Sequence, residues 1–207
     1  MISILDYGTG NIRAIKNILD SLNKPVQVVS SVGELEKSSK IILPGVGAFD
    51  NSMNKLRESG MLDELNRQVL QLKTPILGIC VGMQIMAKNS EEGSISGLNW
   101  IPNSRVEKVN TKKLKTKPLL PHMGWNLANT RKYHDFFINI DHKKGFYFLH
   151  SYRFICDKKY VLCETSYGSD FVSGVINENI IGLQFHPEKS HQNGVNIFKN
   201  FAELTYC

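Results

Sequence analysis

Three side chains that together could carry out nucleophilic catalysis occur in this sequence as Cys80, His186 and Glu188. A thiolate is a strong nucleophile, but free cysteine has a pKa of about 8.5, so only a few per cent is ionised near pH 7. The thiol therefore needs a base, and a histidine can take its proton. A carboxylate on the other ring nitrogen would fix the tautomer of that histidine. A surface His beside a Glu is also common, so the pair gains meaning only from its setting.

Cys80 lies in the segment Gly78-Ile79-Cys80-Val81-Gly82, which has the form G-x-C-x-G. An apolar strand is predicted before this segment and a helix after it, which is the setting of a nucleophile elbow. Glycines are needed there because the turn is tight and a side chain would clash. The positive N-terminus of the following helix would favour the thiolate. The alternative is a buried, unreactive thiol at the end of a strand.

A second glycine-containing segment, Pro44-Gly45-Val46-Gly47, also follows an apolar run. The backbone N–H of Val46 or Gly47, together with that of Val81, could stabilise the oxyanion that forms during attack on a carbonyl. An ordinary strand-to-helix turn is the alternative. A phosphate-binding loop is disfavoured because neither Walker spacing nor GxGxxG is present.

These segments can meet only if their strands end side by side, and the first half of the sequence alternates strand and helix patterns. Strands are predicted over the apolar runs 2–5, 26–29, 40–43 and 75–79. Apolar residues recur at helical spacing over 12–22 and 53–72, with a break near Gly60,. This alternation predicts parallel strands with crossover helices.

The second half is richer in strand patterns, over 101–109 and 145–184, and a last helix is predicted over 193–204. We therefore predict a single α/β domain over residues 1–207. Its central sheet is expected to be mixed, mostly parallel and flanked by helices, with a β-rich second half. Ligands bind at the carboxyl ends of the strands in such sheets, and the segments around Val46, Cys80 and His186 fall there.

The chain carries a net charge of +6 and has a pI near 9.1. Lysines at positions 112, 113, 115 and 117 contribute to this balance. No aromatic residues interleave with them, so nucleic-acid binding is not expected. A solvated loop or hairpin is the favoured interpretation, and a contact surface for an acidic protein or an anionic ligand is the alternative.

No apolar run approaches the roughly 20 residues that a membrane span requires, and the first residues read as a strand, not a signal peptide. We expect a cytoplasmic protein without a membrane partner. The cysteines outside the elbow, Cys156, Cys163 and Cys207, form no CxxC pair and are expected to be small buried thiols,. No metal site and no cofactor are expected.

Three motifs make the sequence resemble the triad-type glutamine amidotransferases: Pro44-Gly45-Val46-Gly47, Leu77-Gly78-Ile79-Cys80-Val81-Gly82-Met83-Gln84 and Gln184-Phe185-His186-Pro187-Glu188-Lys189-Ser190. Three more are similar to the glutaminase subunits of imidazole glycerol phosphate synthases within that family: Asp6-Tyr7-Gly8-Thr9-Gly10-Asn11, Pro121-His122-Met123-Gly124-Trp125-Asn126 and His150-Ser151-Tyr152. The resemblance spans essentially the whole chain. It implies the class-I amidotransferase fold and glutamine as substrate.

The resemblance implies a role for each matching residue. Cys80 would attack the side-chain amide of glutamine, His186 would move the protons and Glu188 would orient His186. The amino-acid end of glutamine would be held by Gln84, Glu92, Ser151 and Tyr152. An acidic Glu92 suits the α-ammonium group, although a solvated glutamate in a turn is the alternative.

The resemblance also implies a heterodimer with a (β/α)-barrel cyclase. The stretch that would face this partner consists of His122, Met123, Gly124, Trp125 and Asn126. Ammonia would pass through the barrel and there react in the histidine pathway, giving imidazole glycerol phosphate and aminoimidazole carboxamide ribotide. The 45–47 loop would act as a switch, because a peptide flip could complete the oxyanion site. A core position beside a turn is the alternative for Trp125.

Arg13, Ala14 and His191 depart from the pattern expected for these subunits. The main alternative is therefore a paralogous glutaminase that supplies ammonia to an enzyme modifying surface-polysaccharide sugars. A binding module that kept the fold but lost the chemistry is a second alternative, against which the intact triad argues. A cysteine peptidase of similar architecture is a third, and the matches at Gln84 and at 150–152 favour glutamine over a peptide.

Overall fold

The computed structural model describes residues 1–112, 114, 120–131 and 134–205. Within these residues the strands are β1 (Ile2–Leu5), β2 (Val26–Val29), β3 (Lys40–Gly45), β4 (Ile76–Cys80), β5 (Arg105–Lys108), β6 (His122–Asn126), β7 (Asn129–Thr130), β8 (Phe146–His150), β9 (Tyr152–Ile155), β10 (Val161–Tyr167), β11 (Ser169–Asn177) and β12 (Ile180–Leu183). The α-helices are α1 (Ile12–Ser21), α2 (Val32–Leu35), α3 (Phe49–Glu58), α4 (Leu62–Asn66), α5 (Val81–Gln84) and α6 (His191–Glu203). A π-helical turn, Arg67–Gln71, continues α4.

Five strands run parallel in the order β2-β1-β3-β4-β12 and form the half of the main sheet that carries the site. All residues of β1, β4 and β12 are buried, which explains their continuous apolar sequences. Gly45 at the end of β3 lies opposite Cys80 at the end of β4, and Leu183 of β12 lies opposite Ile79. The ends of these three strands therefore meet at one edge of the sheet.

The other half of the ten-stranded sheet is antiparallel: β11 pairs with β12, β10 and β9, while β7 pairs with β10 and β5 with β9. A separate antiparallel pair is formed by β6 and β8. The predicted mixed sheet with flanking helices and a β-rich second half is confirmed. It is less parallel than predicted, because the second half adds antiparallel strands to the sheet.

Several predicted boundaries differ from those observed by a few residues, among them the end of β3 and the start of α6. The third strand was predicted to stop before Pro44, but β3 continues to Gly45. Proline is tolerated there because β1 pairs only with residues 40–42, so the N–H that Pro44 lacks has no partner strand on that side,. The last helix begins at His191 instead of Asn193. Most of the basic run lies outside the described residues, including Lys113, Lys115 and Lys117.

Helices cover the sheet with apolar side chains. Ile15 and Leu19 of α1 and Phe198 and Phe201 of α6 are fully buried, and the two helices contact each other. The predicted break between helices near Gly60 is confirmed by the separation of α3 from α4. Within the described part of the chain, no helix has both the length and the apolar character needed to cross a membrane.

Candidate active site

Cys80 is the last residue of β4 and stands where the chain turns into α5. Its φ of 54° and ψ of −109° lie in a region that residues other than glycine rarely occupy,. This is the sharp strand-to-helix turn of a nucleophile elbow. The helix after it is only four residues long, Val81–Gln84. Its electrostatic effect therefore comes from the free N–H groups of the first turn and not from a long helix.

Glycines allow the backbone segments around the elbow to touch. A Cβ on Gly82 would collide with the carbonyl of Leu43, and a Cβ on Gly45 would collide with the N–H of Gly82. A Cβ on Gly78 would lie only 2.7 Å from the Gly82 carbonyl oxygen. The predicted requirement for glycine is confirmed, since any side chain at these positions would separate β3, β4 and α5.

His186 comes three residues after the end of β12, the neighbour of β4 in the sheet. Its Nδ1 atom lies 2.9 Å from Oε1 of Glu188, and both side chains are almost completely buried. The side chain of Cys80 also interacts with the ring and raises its pKa. Since the carboxylate engages Nδ1, the Nε2 atom remains for the sulfur, which is the order of a catalytic triad.

The pKa of His186 is raised to about 10. Burial by itself lowers the pKa of a histidine, because desolvation disfavours the cation. Hydrogen bonds and negative charge at Cys80 and Glu188 outweigh that effect. A raised pKa favours the protonated ring, which can act as the counter-ion of a thiolate. The second carboxylate oxygen of Glu188 is buried and has no hydrogen-bond partner among the described residues.

A cavity of about 250 Å³ opens at this edge of the sheet. The predicted residues that line it are Val46, Gly47, Cys80, Val81, Gln84, Glu92, Ser151, Tyr152 and His186. Among the residues predicted for catalysis, for the oxyanion and for substrate, only Glu188 is absent from the wall, and it touches the wall through His186. The fold therefore gathers at one cavity segments that are far apart in the sequence.

The two predicted donors of the 44–47 loop differ. The N–H of Val46 donates to Oγ1 of Thr9 at 3.2 Å, and the same hydroxyl donates to the Val46 carbonyl at 2.8 Å. In this conformation the Val46 N–H is engaged with Thr9. Gly47 has a φ of 93°, and a Cβ on it would meet no atom within 4 Å. A glycine with open space around it can rotate its peptide at little steric cost.

Gln84, predicted to hold the substrate, is buried and donates from Nε2 to the carbonyl of Tyr152 at 3.3 Å and to Oε1 of Gln184 at 3.0 Å. Gln184 in turn directs its Nε2 at the sulfur of Cys80, 3.7 Å away. The sequence analysis gave Gln184 no role. A polar residue that ends an apolar strand, two positions before His186 and so on the same side, was the available signal.

Glu92 lines the cavity at the turn that follows Ser90. One of its carboxylate oxygens, Oε2, accepts a hydrogen bond from the N–H of Phe49 at 2.9 Å. Phe49 is the first residue of α3, where helical N–H groups lack partners,. This contact fixes the carboxylate at the cavity wall, which disagrees with the alternative of a freely solvated turn.

The stretch predicted to face a partner forms β6, whose side chains alternate between two faces,. Met123 and Trp125 are 62% and 47% exposed, whereas Gly124 and Asn126 are half-buried. His122 is buried, so the prediction that it faces the partner is wrong for its side chain. The cause is the alternation itself, which turns every second residue of the strand inward.

Trp125 is not the core aromatic considered as an alternative, since nearly half of it is exposed. Its ring stacks on that of His191, with centroids 5.1 Å apart and planes 7° from parallel. His191 is exposed and has a φ of 47° at the start of α6. The departure at His191 noted in the sequence therefore touches the exposed face of β6.

The other cysteines lie away from the cavity. Cys163 is buried and Cys156 is half-buried, and both are free thiols whose pKa burial raises to about 12. Their environment keeps them protonated and unreactive. Cys207 lies outside the described residues. Within the described ranges, no group of three or more His, Cys, Asp or Glu side chains could hold a metal ion.

Comparison with protein families finds that residues 3–204 match the class-I glutamine amidotransferase family. Among curated proteins, the chain is 51% identical over 205 residues to the imidazole glycerol phosphate synthase subunit HisH of Leptospira borgpetersenii, covering 99% of this chain and 100% of that one. It is 46% identical, with the same coverage, to the protein of that name from Leptospira interrogans.

The fold also resembles solved structures. PurLQS from Thermotoga maritima superposes with a TM-score of 0.71 at 18% identity, covering 98% of this chain and 97% of that chain. At this identity the likeness concerns the fold alone. It places the mixed sheet with its flanking helices in an architecture that experimental structures share.

Proposed function

The chain belongs to the class-I glutamine amidotransferases and, within them, to the HisH subunits of imidazole glycerol phosphate synthase, and from this premise we propose how its cavity works. It is a glutaminase subunit of histidine biosynthesis. The observation that carries the proposal is the meeting of Cys80, His186 and the expected glutamine-binding residues in one cavity, with Glu188 2.9 Å from the histidine ring.

In the proposed reaction, the sulfur of Cys80 attacks the side-chain amide carbon of glutamine and gives a tetrahedral oxyanion. We assign one donor to that oxyanion to the N–H of Val81, at the first position of α5, and the second to Gly47 or a reoriented Val46,. His186 gives its proton to the departing nitrogen, ammonia leaves and a glutamyl thioester remains. Water, deprotonated by His186, then attacks the thioester and releases glutamate and the thiol.

We assign the amino-acid end of the substrate to the part of the cavity formed by Gln84, Glu92, Ser151 and Tyr152. The carboxylate of Glu92 suits the α-ammonium group. The side-chain amide of glutamine is neutral and would gain little from the charge of His186. Recognition of glutamine therefore depends on the polar end of the cavity, where its amino and carboxylate groups bind. This assignment rests on the residues that line the cavity and on the family to which the chain belongs.

The partner that we propose is the (β/α)-barrel cyclase subunit, in a heterodimer. Met123 and Trp125 present apolar surface on β6, whose preceding residue, Pro121, lines the cavity. Exposed aromatic residues of this kind are typical anchors of protein interfaces. Ammonia released at Cys80 would leave past this face into the barrel. The cytoplasmic location stays a prediction.

The experiment is glutamate release by the purified chain, alone and with the histidine-pathway cyclase subunit and its nucleotide ligand. Strong stimulation by the liganded cyclase, with transfer of ammonia to the nucleotide, is expected. The polysaccharide paralogue, which the identities to synthase subunits do not favour, predicts glutamate release without stimulation by this cyclase. Absence of glutamine hydrolysis under every condition would contradict the proposed chemistry.

A further inference from the structure

Two buried histidines lie beneath the exposed face of β6 and have no role in the reaction just described. His122 and His150 are directly opposite each other on β6 and β8. The Nδ1 atom of His122 is 2.9 Å from Nε2 of His150, and both side chains are at most 6% exposed. A buried polar pair of this kind must satisfy its own hydrogen bonds.

The protons of the pair can be assigned from its neighbours. The Tyr152 carbonyl can only accept, so Nδ1 of His150, 2.7 Å away, carries a proton,. In a neutral ring Nε2 of His150 then accepts the Nδ1–H of His122. The Nε2 of His122 accepts in turn from the amide of Asn126 at 3.2 Å. Burial lowers the pKa of His122 to about 4 and that of His150 to about 3, which agrees with two neutral rings.

The pair ends on the wall of the glutamine cavity. Residues 149–152 line this wall, and here the chain leaves the small β6–β8 sheet and enters the main sheet as β9. Two donors converge on the Tyr152 carbonyl at this crossing, Nδ1 of His150 and Nε2 of Gln84. The position of the Gln84 amide therefore depends on where His150 holds that carbonyl.

We propose that His122 is a positioning residue for glutamine, which acts through His150 to hold the wall at residues 149–152 and the amide of Gln84 in place. The inference rests on the proposed function. This wall belongs to the substrate end of the cavity. Loss of the hydrogen bond between His122 and His150 therefore weakens binding of the amino-acid end of glutamine. The reactivity of the thiol depends on His186 and is not expected to change.

His122 also packs, stacking on Phe148 and Tyr167 with centroids 4.9 Å and 4.0 Å apart. Two variants separate packing from hydrogen bonding. His122→Phe keeps a ring of similar size but removes the donor. His122→Asn gives up the ring but can place an amide N–H where Nδ1 stands. The hydrogen-bonding role predicts that asparagine preserves function and phenylalanine does not.

The test is the rate at which a diazoketone analogue of glutamine labels Cys80 in the full chain without a partner. For His122→Phe the half-saturating concentration should rise about tenfold, because a buried acceptor on His150 loses its donor. The maximal labelling rate should stay within about twofold. Asparagine should keep the half-saturating concentration within about threefold of wild type. Equal values for wild type and phenylalanine, or an equal rise in both variants, would overturn the inference.

Iodoacetamide, which lacks the amino-acid end, serves as the control reagent and should alkylate all three proteins at the same rate. A parallel loss of alkylation in His122→Phe would overturn the proposal, since it would indicate damage at the thiol. If His122→Phe does not fold, His122→Leu replaces it. Leucine is close in size to asparagine but lacks the donor, so only leucine should raise the half-saturating concentration.

Wild-type protein separates this inference from the proposed function. If the analogue does not label wild-type Cys80, the glutaminase assignment itself fails. If wild type is labelled with saturation and His122→Phe behaves identically, the glutaminase assignment stands and the positioning role is refuted.

Discussion

The nucleophile elbow and the tip of the 44–47 loop line the same cavity but are held in different ways. At the elbow, Gly45, Gly78 and Gly82 are in such close contact that no side chain fits. At the tip of the loop, Val46 is 43% exposed and Gly47 has open space where a Cβ would stand. The backbone N–H and carbonyl of Val46 each form a hydrogen bond with one side chain, the hydroxyl of Thr9.

The difference indicates which parts of the reaction the chain prepares by itself. Cys80, His186 and Glu188 are positioned by the ends of two buried, neighbouring strands. The second oxyanion donor instead depends on the backbone at Val46, which two hydrogen bonds to Thr9 hold in place. Loss of one oxyanion donor typically slows a reaction by 10²–10³. A partner that reorients this loop could therefore switch the rate without touching the triad.

The largest effect is expected at the elbow. Cys80→Ala should reduce glutamate release by a factor on the order of 10⁴ or more, because the nucleophile and its base act as a unit. Steady-state glutamate release in the presence of the cyclase measures it. Cys163→Ala, which removes a buried thiol remote from the cavity, should retain activity. A rate for Cys80→Ala within tenfold of wild type would refute the role of the thiol.

Gly82→Ala tests whether packing holds the elbow. The added methyl would overlap the Leu43 carbonyl, so we expect a loss of about 1–3 kcal/mol in the free energy of unfolding,. Activity should fall about 100-fold as Cys80 shifts, because small displacements of reacting groups are costly. Gly33→Ala is the matched control, since a Cβ there meets no atom within 4 Å. Equal unfolding energies for the two variants would argue against a tightly packed elbow.

Trp125→Ala tests the partner face, to which the loop is expected to respond. Removing an exposed aromatic anchor should weaken cyclase binding by about 2 kcal/mol, or roughly 30-fold. The melting temperature and the Cys80 alkylation rate of the isolated chain should not change. Leu72→Ala, another exposed apolar residue, should leave cyclase binding unaffected. An unfolded Trp125→Ala protein would instead favour a structural role for the ring.

The smallest effect is expected at Thr9. Thr9→Val keeps the shape but removes both hydrogen bonds to Val46, each worth about 1 kcal/mol,. Freed from this contact, the loop should raise glutamate release by the isolated chain up to about tenfold and lower the stimulation by the cyclase. Thr9→Ser retains the hydroxyl and should behave like wild type. If valine and serine give the same basal rate, the hydroxyl does not restrain the loop.

Sequence patterns predicted the features that depend on neighbouring residues. The glycine spacing around Cys80 and the two-residue separation of His186 from Glu188 are local, so the elbow and the histidine–carboxylate pair could be predicted. The hydrogen bonds of Thr9 to Val46 join positions 37 apart and could not. Strand alternation predicts that every second residue of β6 points inward. The motif at residues 122–126 instead suggested that all five residues face the partner.

The fold, too, could be predicted where it depends on local patterns and not where it depends on long-range pairing. Alternating strands and helices predicted the parallel half correctly, because each crossover unit is a local pattern. Antiparallel strands of the second half join the same sheet through β11 and β12, a pairing that sequence spacing does not specify. Gln184, whose amide approaches the sulfur, lies just after β12 and reaches Cys80 because β12 pairs with β4.

The most direct measurement is acid-quench detection of the glutamyl thioester on Cys80 after rapid mixing with glutamine, with and without the liganded cyclase. Iodoacetamide alkylation of Cys80 is followed under the same conditions. If the triad is already positioned and the oxyanion site lacks its second donor, thioester formation should be about 100-fold faster with the cyclase. The rate of Cys80 alkylation should change less than about twofold. Equal thioester rates, or an alkylation rate that rises in parallel, would contradict this account.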